Sequence, residues 1–343
     1  MRKIDIDLYQ NEDLASGPAK RIQRKNRRLG KREKQARFVA DLVEHAEKVP
    51  VDVHQNFTPS FQPAEHERFW LLSYLEEFYN NQLISDVVWK VKGGKEANVY
   101  CCTAHPSTGL DLIAAKVYRP QMFRNLRNDA QYRQGREVVD QQGKVANTRR
   151  EVLAVKKNTR FGQELRHASW LEAEYQTLQI LYEAKADVPR PLAHGNNVIM
   201  MEYVGGDRSP APTLNQVNLG AAEAKRMFEK VVDNLAIMLA CHRVHADLSA
   251  YNILYWDGDF KIIDFPQAVD PRRNPDAAAL FSRDVERICQ YFRRYKIACD
   301  AHGLASELWS RYQISNALNA NAADGLFDET MEGIDVKDNF QNE

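Results

Sequence analysis

The chain has 343 residues, 44% of them hydrophobic, enough to bury a large core and to divide into two lobes or domains with extensions. Its 47 Lys and Arg balance 47 Asp and Glu, so bulk charge excludes neither sign of partner and only the distribution of charge is informative. Five cysteines without a C-x-x-C pair argue for a reducing compartment and against a zinc site or disulfide framework; with no evident secretory leader or membrane-spanning run, a soluble cytoplasmic protein with no membrane partner is expected.

Residues 1–60 hold few aromatic or β-branched runs, and from Lys20 to Arg37 basic residues are opposed only by Glu33. Such a block repels itself and is expected to form an open arm or a solvated helix. An RNA or ribosomal particle suits it as a partner, although a solvated helix running into Phe38, or a targeting signal, accounts for it equally well. No aromatic residue is interleaved with the block, so base stacking by the arm is not expected. Pro50, Pro59 and Pro63 mark a linker. From residue 65 to 80, Phe69, Trp70, Leu71, Leu72, Tyr74, Leu75 and Phe78 recur at helical spacing and predict one amphipathic helix that braces the body following it.

Residues 86–102 read as two strands joined by a tight turn at Gly93-Gly94. Gly94 lets backbone N–H groups approach a phosphate and Lys95 adds charge; taken alone, the turn is also an ordinary hairpin. Neither G-x-G-x-x-G nor a Walker motif is present. A short apolar strand, residues 112–118, then carries one lysine, Lys116, in its middle. A buried ammonium is costly unless paired, and the expected partner is Glu174, on a helix of residues 168–182 whose inward face is Trp170, Leu171, Tyr175, Leu178 and Leu181. Between them, residues 119–167 form a long polar, basic insert with some helix near Glu151, suited either to clamping a substrate or RNA over a cleft or to being a solvated insertion.

An apolar strand, residues 198–204, ends at Gly205-Gly206 and reads as a hinge, with the backbone of Glu202 and Val204 offered to an adenine edge and Met201 as a pocket wall. A helix over residues 221–241 leads into the stretch on which the reading centres. There His245-Ala-Asp247 is followed by Asn252, a hairpin turning at Asp257-Gly258, and Asp264. The hairpin returns Asp264 to Asn252, and two hard oxygen ligands suit Mg²⁺ completed by phosphates and water. Asp247, upstream on the same loop, is placed to accept a hydroxyl proton. Helices are expected at about 277–298 and 307–318, before an acidic tail with the composition of a disordered segment.

These residues resemble the RIO family of atypical serine/threonine protein kinases, nearest its Rio1 branch, over roughly residues 87–292. The segments from Gly94 to Tyr100, Ala115 to Arg119, Trp170 to Glu174 and Met200 to Gly205 are similar to its phosphate loop, lysine strand, αC-equivalent and hinge, with Met201 as gatekeeper. Val244 to Leu254, Ile263 to Gln267 and Ser282-Arg-Asp284 are similar to its catalytic loop, metal loop and following helix. The resemblance implies an α+β, bilobal protein-kinase-like fold: a basic arm (1–60), a bracing helix (61–85), a small β-rich N-lobe (86–204, including the insert 119–167), a helical C-lobe (205–320) and the tail (321–343). It implies ATP with Mg²⁺ or Mn²⁺ as cofactors, and phosphorylation of a protein serine or of the chain itself. An ATPase cycle passing through a phosphorylated Asp264, within small ribosomal subunit maturation, is the family's other possibility. The long insert, Asn274-Pro275 in place of His-Pro, and Pro266 after Asp264-Phe265 depart from the Rio1 pattern.

Two other readings share parts of the pattern. A small-molecule phosphotransferase of the aminoglycoside or choline kinase type also carries H-x-D-x-x-x-x-N, and an acidic groove built by the C-terminal helices would mark it. An RNA- or ribosome-binding scaffold would bind ATP without turnover.

Overall fold

The structure is a computed structural model, and it describes residues 57–94, 96–119, 148–157, 159–195, 197–207 and 209–331. The basic arm, Lys95, most of the insert (120–147) and the end of the tail lie outside the described residues. Contacts divide the chain into two units. The smaller comprises residues 1–58 and 62–72 and the larger residues 59–61 and 73–343. Helix α1, Glu65–Asn80, crosses from one to the other where the apolar spacing predicts a helix.

The first lobe is a five-stranded antiparallel sheet: β1 (Ile84–Gly93), β2 (Ala97–Ala104), β3 (Leu112–Tyr118), β4 (Pro191–Gly195) and β5 (Val198–Glu202), in the order β1-β2-β3-β5-β4. β3 lies at its centre and is buried along six of its seven residues, which explains its almost unbroken apolar sequence. Its register, Lys116 opposite Val99 on one side and Ile199 on the other, places the lysine in mid-strand with neighbours on both edges.

Two helices separate β3 from β4. Helix α2, Arg149–Lys156, starts at a capping box in which Thr148 and Glu151 bond reciprocally. Helix α3, Arg160–Glu183, begins eight residues before the expected start at Ala168, so the end of the insert is helix. Thr159 explains the early start: its hydroxyl accepts the Gly162 N–H at 3.2 Å, and Leu165 is already buried.

A small hairpin, β6 (Gly205–Gly206) with β7 (Ser209–Pro210), leads to the second lobe. Helix α4, Ala221–Ala240, buries Ala224, Met227, Val231, Leu235 and Met238 along one face. After the catalytic loop, β8 (Ile253–Trp256) and β9 (Asp259–Ile262) form the expected hairpin, with Asp257 and Gly258 both at positive φ, 49° and 73°. Helices α5 (Ala277–Arg293) and α6 (Ala301–Met331) complete the lobe. The α+β, two-lobed, kinase-like class expected from the sequence is the one observed.

The C-terminal helices differ from expectation in three ways. α5 stops at Arg293 rather than 298, because Lys296 takes a left-handed φ of 61°. α6 runs from Ala301 to Met331, beyond the expected end at 318 and into the stretch read as a tail; its alanines and leucines are strong helix formers. Cys289 and Cys299 are joined in a disulfide that closes the turn between the helices, against the expectation that none would form. A pair brought together by a helical turn leaves no C-x-x-C trace in the sequence.

Gly205 has a φ of +147°, and a Cβ there would stand 2.6 Å from the Ser209 carbonyl oxygen and 2.8 Å from the Ala211 nitrogen. Gly205→Ala is therefore expected to lower the unfolding free energy by about 1–3 kcal/mol, measured by urea denaturation.

Candidate active site

Lys116 is 9% exposed, and its ammonium donates to Glu174 Oε1 at 2.6 Å and to Asp264 Oδ1 at 2.5 Å. The three groups come from β3, from α3 and from the segment after β9, so one cation ties together the sheet, the long helix and the second lobe. Burial acts to lower the Lys116 pKa, but the charges of Asp264 and then Glu174 outweigh it and raise it well above the ordinary lysine value. Burial likewise pushes the Asp264 carboxyl up, and the charge and hydrogen bond of Lys116 more than offset this, leaving it below the usual aspartate range. Tyr118, two residues along β3, donates its hydroxyl to Glu174 Oε2, so both oxygens of that carboxylate are held. The Tyr118 ring packs edge-on against Trp170, whose indole N–H donates to the Pro266 carbonyl at 2.9 Å, a second tie between α3 and the Asp264 segment.

The Asn252 and Asp264 positions converge through backbone. The Ile263 N–H donates to the Asn252 carbonyl at 2.9 Å, closing the base of the β8–β9 hairpin and making Asp264 the next residue out. Asp264 has a φ of 75°, a left-handed conformation rare outside glycine, and there its carboxylate reaches Lys116. Asn252 donates its Nδ2 to the Asp247 carbonyl at 3.0 Å, so the amide presents its oxygen as the hard ligand. Among the described residues no group of three or more His, Cys, Asp and Glu could hold a metal unaided. A divalent ion between Asn252 and Asp264 therefore needs phosphate and water to complete its shell, the usual habit of Mg²⁺.

The loop carrying Asp247 is held through its backbone by side chains of α5. Asp284 is fully buried on α5, where its carboxylate accepts the Ala246 N–H at 2.7 Å and the Leu248 N–H at 2.9 Å. Burial pushes its carboxyl up to about 7, against the pull of those donors and of Arg283 and Arg287. Arg283 donates to the Ala246 carbonyl, so all the polar backbone of the left-handed Ala246 (φ 65°) is engaged by α5. The Asp247 side chain is 43% exposed, and its Oδ1 accepts from Arg287 at 2.8 Å. Sequence reasoning reaches Asp284 only within the Ser282-Arg-Asp284 resemblance, with no role attached, and does not reach Arg287. Asp284 left a legible signal, a carboxylate inside the apolar stripe of Leu280, Phe281, Val285 and Ile288; Arg287 left none.

At the hinge, Met201 lies opposite Ala114 on β3 and is partly buried against the core. The Glu202 N–H donates to the Arg190 carbonyl at 2.8 Å and the Val204 carbonyl accepts from Ala211 at 3.0 Å, so neither is available to a base. An adenine edge would meet the Glu202 carbonyl and the Val204 N–H instead. Gly94 closes the β1–β2 turn through its N–H to the Ala97 carbonyl at 2.9 Å, and a Cβ there would lie 2.6 Å from that oxygen, so the turn itself requires a glycine. Lys95 lies outside the described residues.

His245 is 1% exposed, with Nε2 3.1 Å from the Ile263 carbonyl and Nδ1 3.3 Å from the Asp247 N–H. A carbonyl only accepts and an amide N–H only donates, so the ring carries its proton on Nε2 and is neutral. Burial accordingly holds its pKa below 6.5 despite the opposing influence of the Ile263 carbonyl, Asp264 and Asp247. A base whose folded pKa lies below its unfolded value costs stability once the unfolded chain takes up protons: the contribution is intact above pH 6.5 and is lost as pH falls through the folded pKa. Imidazole ¹⁵N shifts recorded at pH 6.5 are expected to show His245 as the neutral Nε2–H tautomer, while an exposed histidine is about half protonated.

Comparison with known proteins identifies the family of the chain. The RIO domain family profile matches residues 98–304, more than half of the chain. The serine/threonine-protein kinase rio1 of Schizosaccharomyces pombe is 28% identical over 233 residues, 66% of this chain and 42% of that protein. Serine/threonine-protein kinase RIO1 of Caenorhabditis elegans is 31% identical over 204 residues, 59% of this chain and 36% of its own. The RIO-type serine/threonine-protein kinase Rio1 of Thermoplasma acidophilum is 34% identical over 131 residues, 38% of this chain and 67% of its own. The chain thus spans less than half the length of the first two relatives, and the stretch it shares with its kin contains Lys116, Glu174, Asp247, Asn252 and Asp264: it belongs to the RIO domain family.

Proposed function

We propose that the chain is an ATP- and divalent-metal-dependent serine/threonine kinase of the RIO type, acting on a protein acceptor and on itself. The observation that carries this reading is the Lys116 ammonium held at 2.6 and 2.5 Å between carboxylates from two lobes. In this reading Lys116 steadies the ATP phosphates, with Glu174 fixing its direction. Asn252 and Asp264 hold Mg²⁺ or Mn²⁺, which supplies charge neutralisation for the transferring phosphoryl group. The Glu202 carbonyl and Val204 N–H meet the adenine, Met201 walls its pocket, and the Gly94 turn with Lys95 lies toward the phosphates. Asp247 orients the acceptor hydroxyl and takes its proton as the new oxygen–phosphorus bond forms and ADP leaves. Catalysis is then mainly alignment and charge neutralisation.

The surface beside Asp247 carries Arg287 and Arg294 rather than the acidic groove that a small-molecule phosphotransferase for cationic substrates would need. The names of the relatives, all serine/threonine-protein kinases, support the same choice. Use of ATP turnover in small ribosomal subunit maturation, with the basic arm 20–37 on RNA, is the biological setting we propose. No described helix is long and apolar enough to cross a membrane.

Incubation with γ-labelled ATP and Mg²⁺ is expected to label wild type on serine or threonine, with labelling reduced at least about 10²-fold in Asp247→Ala and in Asp264→Ala. Undiminished label in both variants would overturn the assignment. Label released by hydroxylamine would mark a carboxyl phosphate on Asp264 and an ATPase cycle as the main activity.

A further inference from the structure

Asp247 borders a surface cavity of about 530 Å³ that the nucleotide machinery does not use. Its walls come from the catalytic loop (Ser249, Tyr251), from Asn215 and from one face of α5 continued by its capping residue: Arg287, Gln290, Tyr291 and Arg294, spaced i, i+3, i+4 and i+7. The floor is fixed, because the Tyr291 hydroxyl donates to the Leu214 carbonyl at 2.6 Å. Tyr251 is 61% exposed and offers an aromatic wall beside the catalytic aspartate.

The charge of this cavity is uneven. Asp247 is its one carboxylate, already paired with Arg287 at 2.8 Å, and Arg294 adds a second guanidinium stacked over the Tyr291 and Tyr295 rings at 5.0 and 5.5 Å. The pair therefore leaves one cation in excess. Seven residues at about 1.5 Å of rise set the two guanidinium stems about 10 Å apart along the helix. An extended peptide covers that distance in about three residues.

We infer that this cavity seats the acceptor segment of the protein substrate, and that Arg287 and Arg294 select a serine flanked by carboxylates about three residues apart along an extended chain. The inference rests on the kinase reading for what Asp247 does, and adds the substrate class. An acidic side chain of the acceptor competes with Asp247 for Arg287, so docking of the correct segment also hands the Asp247 carboxylate to the incoming hydroxyl. The γ-phosphoryl group then passes from ATP to that oxygen, its bond to ADP breaks, and the hydroxyl proton goes to Asp247. Arg287 is in this sense a positioning residue as well as a specificity determinant.

The test uses the full chain with a non-hydrolysable ATP analogue and Mg²⁺, and reads binding of fluorescein-labelled serine peptides by anisotropy, with turnover measured in parallel. The acidic peptide is expected to bind at least about tenfold more tightly than its Asn/Gln counterpart, a preference that falls below about twofold in Arg287→Gln and in Arg294→Ala. Arg294→Lys should keep part of the preference, and Arg293→Ala, which removes an exposed neighbouring charge, should keep all of it. Equal binding of the two peptides by wild type, or a preference surviving both Arg287→Gln and Arg294→Ala, would overturn the inference. So would tighter binding of a single-stranded oligonucleotide at the same residues. An intact acidic preference without turnover would instead support the cavity assignment and count against the kinase reading.

Discussion

One buried cation organises the molecule. An ammonium in the middle of a central strand is tolerable only if opposite charge reaches it, and leaving it without a partner would cost several kcal/mol, about 3–5 for a typical broken buried pair. Lys116 satisfies this with two carboxylates that are distant in sequence, Glu174 from α3 and Asp264 from the far lobe. The requirement propagates outward. It fixes the rotation of α3 about its axis, since Glu174 must face the sheet, and it holds Asp264 in a left-handed backbone conformation it would otherwise avoid. Tyr118 and Trp170 reinforce the arrangement by gripping Glu174 and the Pro266 carbonyl from the same side. The two lobes are thus joined by charge at Lys116. In the proposed reading, phosphate oxygens would compete with the Asp264 carboxylate for the same ammonium.

The second constraint is the conformation of the catalytic loop, which depends on α5. The Asp284 carboxylate, the Arg283 guanidinium and the Arg287 guanidinium, all within one turn of helix, engage the Ala246 amide and carbonyl, the Leu248 amide and the Asp247 carboxylate. From the other side, His245 bonds the Ile263 carbonyl and Asn252 bonds the Asp247 carbonyl. A short loop with left-handed Ala246 at its centre is thereby specified by side chains rather than by its own propensities.

Much of this was legible in the sequence because it is local or follows from the cost of burying a charge. The β8–β9 hairpin followed from Asp257-Gly258, the β3 strand from its apolar run, and the Lys116–Glu174 pair from the cost of burying a lysine on such a strand. What escaped is what needs a third element in place. That Asp264 reaches Lys116 depends on how the second lobe meets the sheet. Arg287 pairs with Asp247 only because α5 packs beneath the loop, and the Cys289–Cys299 bond depends on where α5 ends. The early start of α3 turned on a single threonine cap, which a search for apolar periodicity passes over. At the hinge the sequence pointed to the backbone of Glu202 and Val204, but which of those atoms are already bonded is decided by Arg190 and Ala211, outside the strand.

Asp247 stands where these two constraints meet. Its backbone carbonyl is tied to Asn252 on the side of the proposed metal site, while its carboxylate is tied to Arg287 on the side of the basic cavity. The residue is therefore fixed by its main chain but held at its reacting end by a partner that another anion can take. Such an asymmetry suits a group that must keep its position and yet change its hydrogen-bond partner during a reaction cycle. The same helix that anchors the loop also carries the cations facing the cavity, so a shift of α5 would move the aspartate and the acceptor surface together. Alignment of acceptor and base is then a property of one rigid element, which is the economical way to keep two reacting groups in register.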